Sequence, residues 1–221
     1  TDTRAQDLAN NALGEYCLGL AYLGRCKDLG LALQEAKKRQ LHGASTELIT
    51  NATESMEQMI RHPDRSFRCG PLALAKLVKS YRFANSQDVE KANRLIEQCF
   101  STSRGTSLAQ VSALAKSCKM SYQLAYRSPG APLLTQAVVH WKAGHFGALL
   151  EKKRDRYLVE DSTSLATPLY VTAAALEEEV SGYFLVLAGP LPQGWRAVQV
   201  AEAQKVWGCG APPDVDTKST T

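Results

Sequence analysis

The chain predicts an α+β fold with a helical segment ahead of it. Three observations carry that expectation. Apolar residues recur at helical spacing through the first half, they switch to strand-like alternation after Ser121, and the two regimes do not interleave. Helices first and strands afterwards is the order of a domain whose helices pack on an antiparallel sheet. The 221 residues suffice for one large domain, or for a small domain plus an ordinary one. Hydrophobic residues at 44% and charged residues at 22% are the proportions of a globular protein.

Composition narrows the function classes. The formal net charge is +4, but Lys and Arg are scattered and often stand beside Glu or Asp. No basic stretch interleaved with aromatics marks a nucleic-acid surface. No apolar run approaches the roughly 18 residues that a membrane span needs. The chain starts at Thr1 with neither a methionine nor a signal peptide, and so reads as a cut fragment or mature segment whose compartment is open. The six cysteines at 17, 26, 69, 99, 118 and 209 show neither a CxxC pair nor a Cys/His metal spacing, so no metal or other cofactor is expected. Cys17, Cys99 and Cys118 sit within apolar helical patterns and read as buried free thiols.

Residues 4–39 read as two helices. Leu8, Ala12, Tyr16, Leu20 and Leu23 trace an apolar stripe, a turn follows at Gly24, and Leu29 to Lys38 continues helical. Ala21-Tyr22-Leu23-Gly24 ahead of Ala32 and Ala36 resembles a tetratricopeptide-type hairpin. Such a unit cannot bury its own face, so the N-terminal helices are expected to dock another domain or repeat. A third helix, Ser45 to Arg61, carries Leu48, Ala52, Met56, Met59 and Ile60, and Pro63 breaks it. The expected divisions are a helical segment at 1–62, a second domain at 63–190 and an irregular extension or linker at 191–221.

Within the second domain, Ser86 is an N-cap candidate for a helix to about Cys99, and Ser107 for a helix carrying Leu108, Val111, Leu114 and Ala115. Tyr122, Leu124 and Tyr126 alternate as a strand does. Ala137 to Trp141 is a second strand, and Lys142-Ala143-Gly144 a tight turn. His145–Lys152 and Arg156–Asp161 form a hairpin about residues 153–155. Thr172 caps a short helix ended by Gly182, and Tyr183–Ala188 is a last strand. From about residue 210 the tail lacks apolar content and reads as disordered.

Cys69-Gly70-Pro71 stands out. Leu74, Leu77, Val78 and Tyr81 follow at the spacing of one helical face, and Pro71 suits a first turn, where a missing N–H costs nothing. Cys69 therefore sits at a helix N-terminus, whose field favours thiolate over thiol. A small buried core cysteine would give the same local pattern. Two residues of the hairpin add to it. His145 and Asp161 are equidistant from residue 153, at the expected turn, so they should be neighbours across the ladder within a residue or two of register. An Asp beside a His fixes its tautomer and steadies the imidazolium. His140 is a competing base, though its place in Val-Val-His-Trp suits a sheet surface. His42 and His62 have no evident partners.

The stretch from about Ser66 to Leu187 resembles the peptidase C39 and C39-like papain-fold cysteine peptidases. The matching pieces, in order, are Cys69-Gly70-Pro71, Gly105-Thr106-Ser107-Leu108, Ala137 to Trp141, Gly144-His145-Phe146, Val159-Glu160-Asp161 and Ser181 to Leu187. The resemblance implies a papain-like α+β fold, with Cys69 as nucleophile, His145 as general base and acid, and Asp161 orienting His145. It also implies a peptide or protein substrate, the parent polypeptide included, and an all-protein site.

Two departures stand against the pattern. The family carries a glutamine about six residues before the cysteine as oxyanion donor. Here position 63 is proline, and Gln58 is the only nearby candidate beside the Cys69 backbone N–H. Asp161 is followed by Ser162 rather than proline. The missing glutamine supports an alternative, a catalytically impaired module that binds a peptide or neighbouring domain. The helical hairpin and Val206-Trp207-Gly208-Cys209-Gly210 further resemble modules of large bacterial YD/Rhs-type repeat proteins, which implies a secreted or cell-envelope setting.

Overall fold

The computed structural model describes residues 3–83, 85–161 and 169–208. They divide into two compact units, one of residues 3–67 with 101–104 and one within 68–100 and 105–208.

The first unit holds α1 (Thr3–Tyr22), α2 (Cys26–Ala36), α3 (Ala44–Arg61) and the single turn α4 (Pro63–Ser66). Gly24, at φ 69°, makes the turn between α1 and α2, and the expected break at Pro63 separates α3 from α4. The stripe of α1 is not the expected one. Leu8 and Tyr16 are exposed, and the buried line runs Asn10, Gly14, Cys17 and Leu20. The reason is close approach. Leu48 of α3 lies where a Cβ on Gly14 would be, 2.7 Å from that position, so the bare glycine sets the contact rather than the larger apolar residues.

The second unit begins with α5 (Cys69–Val78), α6 (Ser86–Glu97), β1 (Thr106–Ser107) and α7 (Leu108–Ser117). Then come β2 (Tyr122–Arg127), β3 (Ala137–Trp141), β4 (His145–Lys153), β5 (Arg156–Asp161) and β6 (Leu169–Thr172). It closes with α8 (Ala173–Glu179), β7 (Val180–Leu187), β8 (Trp195–Ala197), α9 (Val200–Ala203) and β9 (Trp207–Gly208). Strands β6-β5-β4-β3-β7-β2-β8 form one antiparallel sheet in that order, and β1 pairs with β9. The architecture is α+β with an antiparallel sheet, as expected.

Helix α5 packs on β4 and β3, and it is apolar nearly all round because α6 and α7 cover its other sides. Leu74 and Leu77 are wholly buried, each contributing roughly 1.5–3 kcal/mol. Cross-strand pairing puts Val138, His140, Phe146 and Ala148 on one face of the sheet. Val139, Leu149 and Val159 lie on the other, in a core shared with Leu176 of α8 and Phe184.

Ser107 caps α7 with a full capping box, its Oγ accepting from Gln110 N–H while Gln110 Oε1 accepts from Ser107 N–H. Thr172 caps α8 through Ala175 N–H. Three expectations need correction. Asn85, not Ser86, caps α6, its Oδ1 accepting from Asp88 N–H at 2.9 Å. Helix α8 ends at Glu179 and runs straight into β7. Gly182 therefore lies inside that strand, where a Cβ would stand 2.6 Å from the Tyr126 ring. Residues 191–208 are not irregular, since β8 joins the main sheet and β9 pairs with β1. The expected disordered tail from about 210 lies outside the described residues.

Candidate active site

Cys69 is the first residue of α5. Arg68 precedes it without a side-chain cap, and Leu72 N–H already bonds to the Arg68 carbonyl, so the helix begins at the cysteine. Pro71 stands in the first turn, where its missing N–H removes no helical bond. Gly70 lets the helix start settle on the sheet. A Cβ there would lie 2.5 Å from Val111 Cγ2, 2.7 Å from Thr106 Oγ1 and 3.3 Å from Phe146 Cδ2. The neighbour of Cys69 thus touches the neighbour of His145.

His145 opens β4 after the turn at 142–144, where Gly144 takes φ 76° and its N–H bonds to the Trp141 carbonyl. The hairpin closes at Lys153 and Arg156 about the expected turn. A bulge between Leu149 and Glu151 then shifts the register, so Asp161 stands opposite Gly147. That places Asp161 diagonal to His145 on the same face, with Asp161 Oδ1 2.7 Å from His145 Nε2. His145 is 2% exposed, while the Asp161 side chain is 28% exposed.

Trp141 bounds this pair. It is directly opposite His145, and its indole Nε1 lies 2.8 Å from where a Cβ on Gly147 would be. The indole therefore crosses the bare residue that faces Asp161. A low-dielectric wall of this kind strengthens a hydrogen bond beside it.

His140 has other work. Its Nε2 lies 2.8 Å from the Trp207 carbonyl and its Nδ1 2.8 Å from Ser181 Oγ. Burial pushes its pKa below the ordinary histidine value, the Trp207 bond opposes that shift, and nearby His145 adds to it. The neutral ring must donate from Nε2, because a carbonyl only accepts, and so Nδ1 accepts from the Ser181 hydroxyl. His42 and His62 are exposed in the first unit, and Gln58 is exposed on the last turns of α3.

Thr106 Oγ1 is buried without a hydrogen-bond partner, beside Gly70. Cys17, Cys99 and Cys118 form no disulfide; Cys17 and Cys118 are buried and Cys99 is half-buried. Desolvation raises the pKa of each, that of Cys118 to about 11. Among the described residues no cluster of His, Cys, Asp and Glu could hold a metal, and no helix is long and apolar enough to cross a membrane.

The family model of the peptidase C39 family matches residues 57–190, more than half of the chain. The chain belongs to the peptidase C39 family. The C39 match begins within α3 and leaves residues 1–56 and 191–221 outside it. Among solved structures, the chain is similar to the N-terminal peptidase C39 like domain of the toxin secretion ATP-binding protein from Vibrio parahaemolyticus. The identity is 15% over 53% of this chain and 93% of that one, with a TM-score of 0.39. No curated protein matches the sequence.

Reading the sequence alone does not single out Trp141, Thr106 or the pair Trp207–Gly208 as parts of the site. Trp141 shows only as a strand residue and Thr106 only within the Gly105 to Leu108 piece of the resemblance. Nothing local tells that Trp207 and Gly208 return to β1.

Proposed function

We propose that this C39 domain is a cysteine peptidase in which Cys69 is the nucleophile, His145 the general base and acid, and Asp161 the residue that orients His145. The observation that carries the reading is the 2.7 Å contact of Asp161 Oδ1 with His145 Nε2, at the start of the strand on which the Cys69 helix packs. With Nε2 held by a carboxylate, Nδ1 is the nitrogen assigned to proton transfer. The substrate class is a peptide or protein, which includes the chain's own parent polypeptide.

In the proposed reaction His145 takes the Cys69 proton and the sulfur attacks a peptide carbonyl carbon. A C–S bond forms, and the carbonyl electrons move to oxygen. Collapse breaks the C–N bond, and the amine leaves with the proton from His145. Water, deprotonated by His145, then attacks the thioester. The C–S bond breaks, and acid and thiolate separate. The Cys69 N–H belongs to a first helical turn, whose amides lack intrahelical acceptors and point toward anionic charge. Loss of one oxyanion donor costs roughly 10²–10³ in kcat.

The test is alkylation of Cys69 by iodoacetamide at pH 6, followed residue by residue by mass spectrometry, together with cleavage of a peptide library. His145-dependent alkylation with library cleavage supports the peptidase. Alkylation of Cys69 at a rate that His145→Ala leaves unchanged overturns it. The absent upstream glutamine favours a second reading, a peptide-binding module, and alkylation without any cleavage selects that reading.

A further inference from the structure

The last described strand returns to the nucleophile. Thr106 pairs with Gly208 and Ser107 with Trp207, so β9 lies along β1 as an added antiparallel strand. Two carbonyls on the approach have donors: Leu108 N–H bonds to Val206 O at 2.8 Å, and His140 Nε2–H to Trp207 O at 2.8 Å. Gly208 ends against the site. A Cβ built on it would stand 3.1 Å from Cys69 Sγ and 2.4 Å from Phe146 Cδ2, so only glycine fits. Cys69 is 2% exposed with this strand in place. These residues lie beyond position 190, where the C39 match ends, so the strand is an addition to the matched region.

We propose that β9 is a strap in cis that regulates the site: residues 206–208 occupy the ground beside Cys69, and a substrate reaches the sulfur only when they leave. The inference rests on the reading of Cys69 as the nucleophile, but it concerns access to the sulfur rather than turnover. An extended segment with hydrogen-bonded carbonyls, running past the thiol, stands where a substrate strand would have to lie. Pairing with the two-residue β1, the Leu108 N–H bond and the His140 bond are among the contacts that hold it. Such a segment opens at far lower free energy than the sheet core. His140 acts here as the latch, which gives this half-buried, neutral imidazole a role that proton transfer does not.

The experiment uses the full chain and compares wild type with Gly208→Val, whose side chain cannot fit between Cys69 and Phe146. Iodoacetamide labelling of Cys69 is timed by mass spectrometry, with buried Cys118 as the internal reference. The expected result is at least a tenfold faster labelling of Cys69, with Cys118 unchanged. An unchanged rate at Cys69 overturns the strap. So does equal acceleration of both thiols, because a strand whose loss loosens the whole domain is a structural member. His140→Leu, which removes the latch but leaves Gly208, is expected to accelerate Cys69 labelling in the same direction, and no acceleration there removes the latch from the proposal. The peptide library separates this idea from the peptidase reading. Faster labelling of Cys69 with no cleavage in Gly208→Val sinks turnover and keeps the strap.

Discussion

Asp161 sits diagonally across the hairpin from His145, opposite Gly147, with its Oδ1 2.7 Å from His145 Nε2. The bulge between Leu149 and Glu151 shifts the register by one residue, which brings Asp161 onto the face of His145. Gly147 leaves the intervening position bare, and Trp141 covers it.

Removing the carboxylate therefore tests the orienting role. Asp161→Ala is expected to lower kcat by roughly 10²–10⁴ while the fold persists, because the half-exposed aspartate carries little packing. Steady-state kinetics on a cleaved library peptide, with circular dichroism as the control, would check it. A kcat within twofold of wild type would exclude Asp161 from the machinery.

Gly70 is where the Cys69 helix meets the sheet. The Cβ of Gly70→Ala would come 2.5 Å from Val111 Cγ2 and 2.7 Å from Thr106 Oγ1. Overpacking of this kind costs about 1–3 kcal/mol. Urea denaturation should show the midpoint falling by a corresponding amount, with little change in slope.

Thr106 offers the opposite sign. Its buried hydroxyl has no partner, a condition that costs about 1–3 kcal/mol. Thr106→Val keeps the shape and removes the penalty, so the melting temperature is expected to hold or rise. A clear drop would show that the hydroxyl makes a bond in solution.

His140 predicts a pH dependence. Burial depresses the folded-state pKa of His140 below its ordinary value of 6.5. As pH falls, the unfolded chain takes up that proton first. Stability is therefore lost as pH drops through the ordinary histidine range toward the depressed value, and it is unaffected above about 7. His140→Gln should flatten the decline in urea midpoint between pH 7.5 and 5.5, and an unchanged slope would place the proton elsewhere.

Desolvation supplies a further control. Cys118, with its pKa raised to about 11, is expected to stay unlabelled at pH 8 while the domain is folded. Labelling of Cys118 at the rate of a small-molecule thiol would show that its burial is not maintained.

Local chemistry made much of this protein legible in its sequence. Periodicity marked α5, α6, α7 and the strand β3, because apolar residues report directly which side of an element is buried. Capping oxygens marked Ser107 and Thr172, and turn composition marked the hairpin on which His145 and Asp161 stand. These are short-range signals, and they suffice to nominate Cys69, His145 and Asp161. Tertiary contact decided the rest. Gly14 turned the buried stripe of α1, since a missing side chain admits Leu48 more closely than any apolar residue attracts it. A single bulge moved Asp161 from the position opposite Ala148 to the one opposite Gly147, and so onto the face of His145. The return of Trp207–Gly208 to Cys69 depends on pairing with β1 about 100 residues earlier, and a strand of that length carries no periodicity of its own to announce a partner.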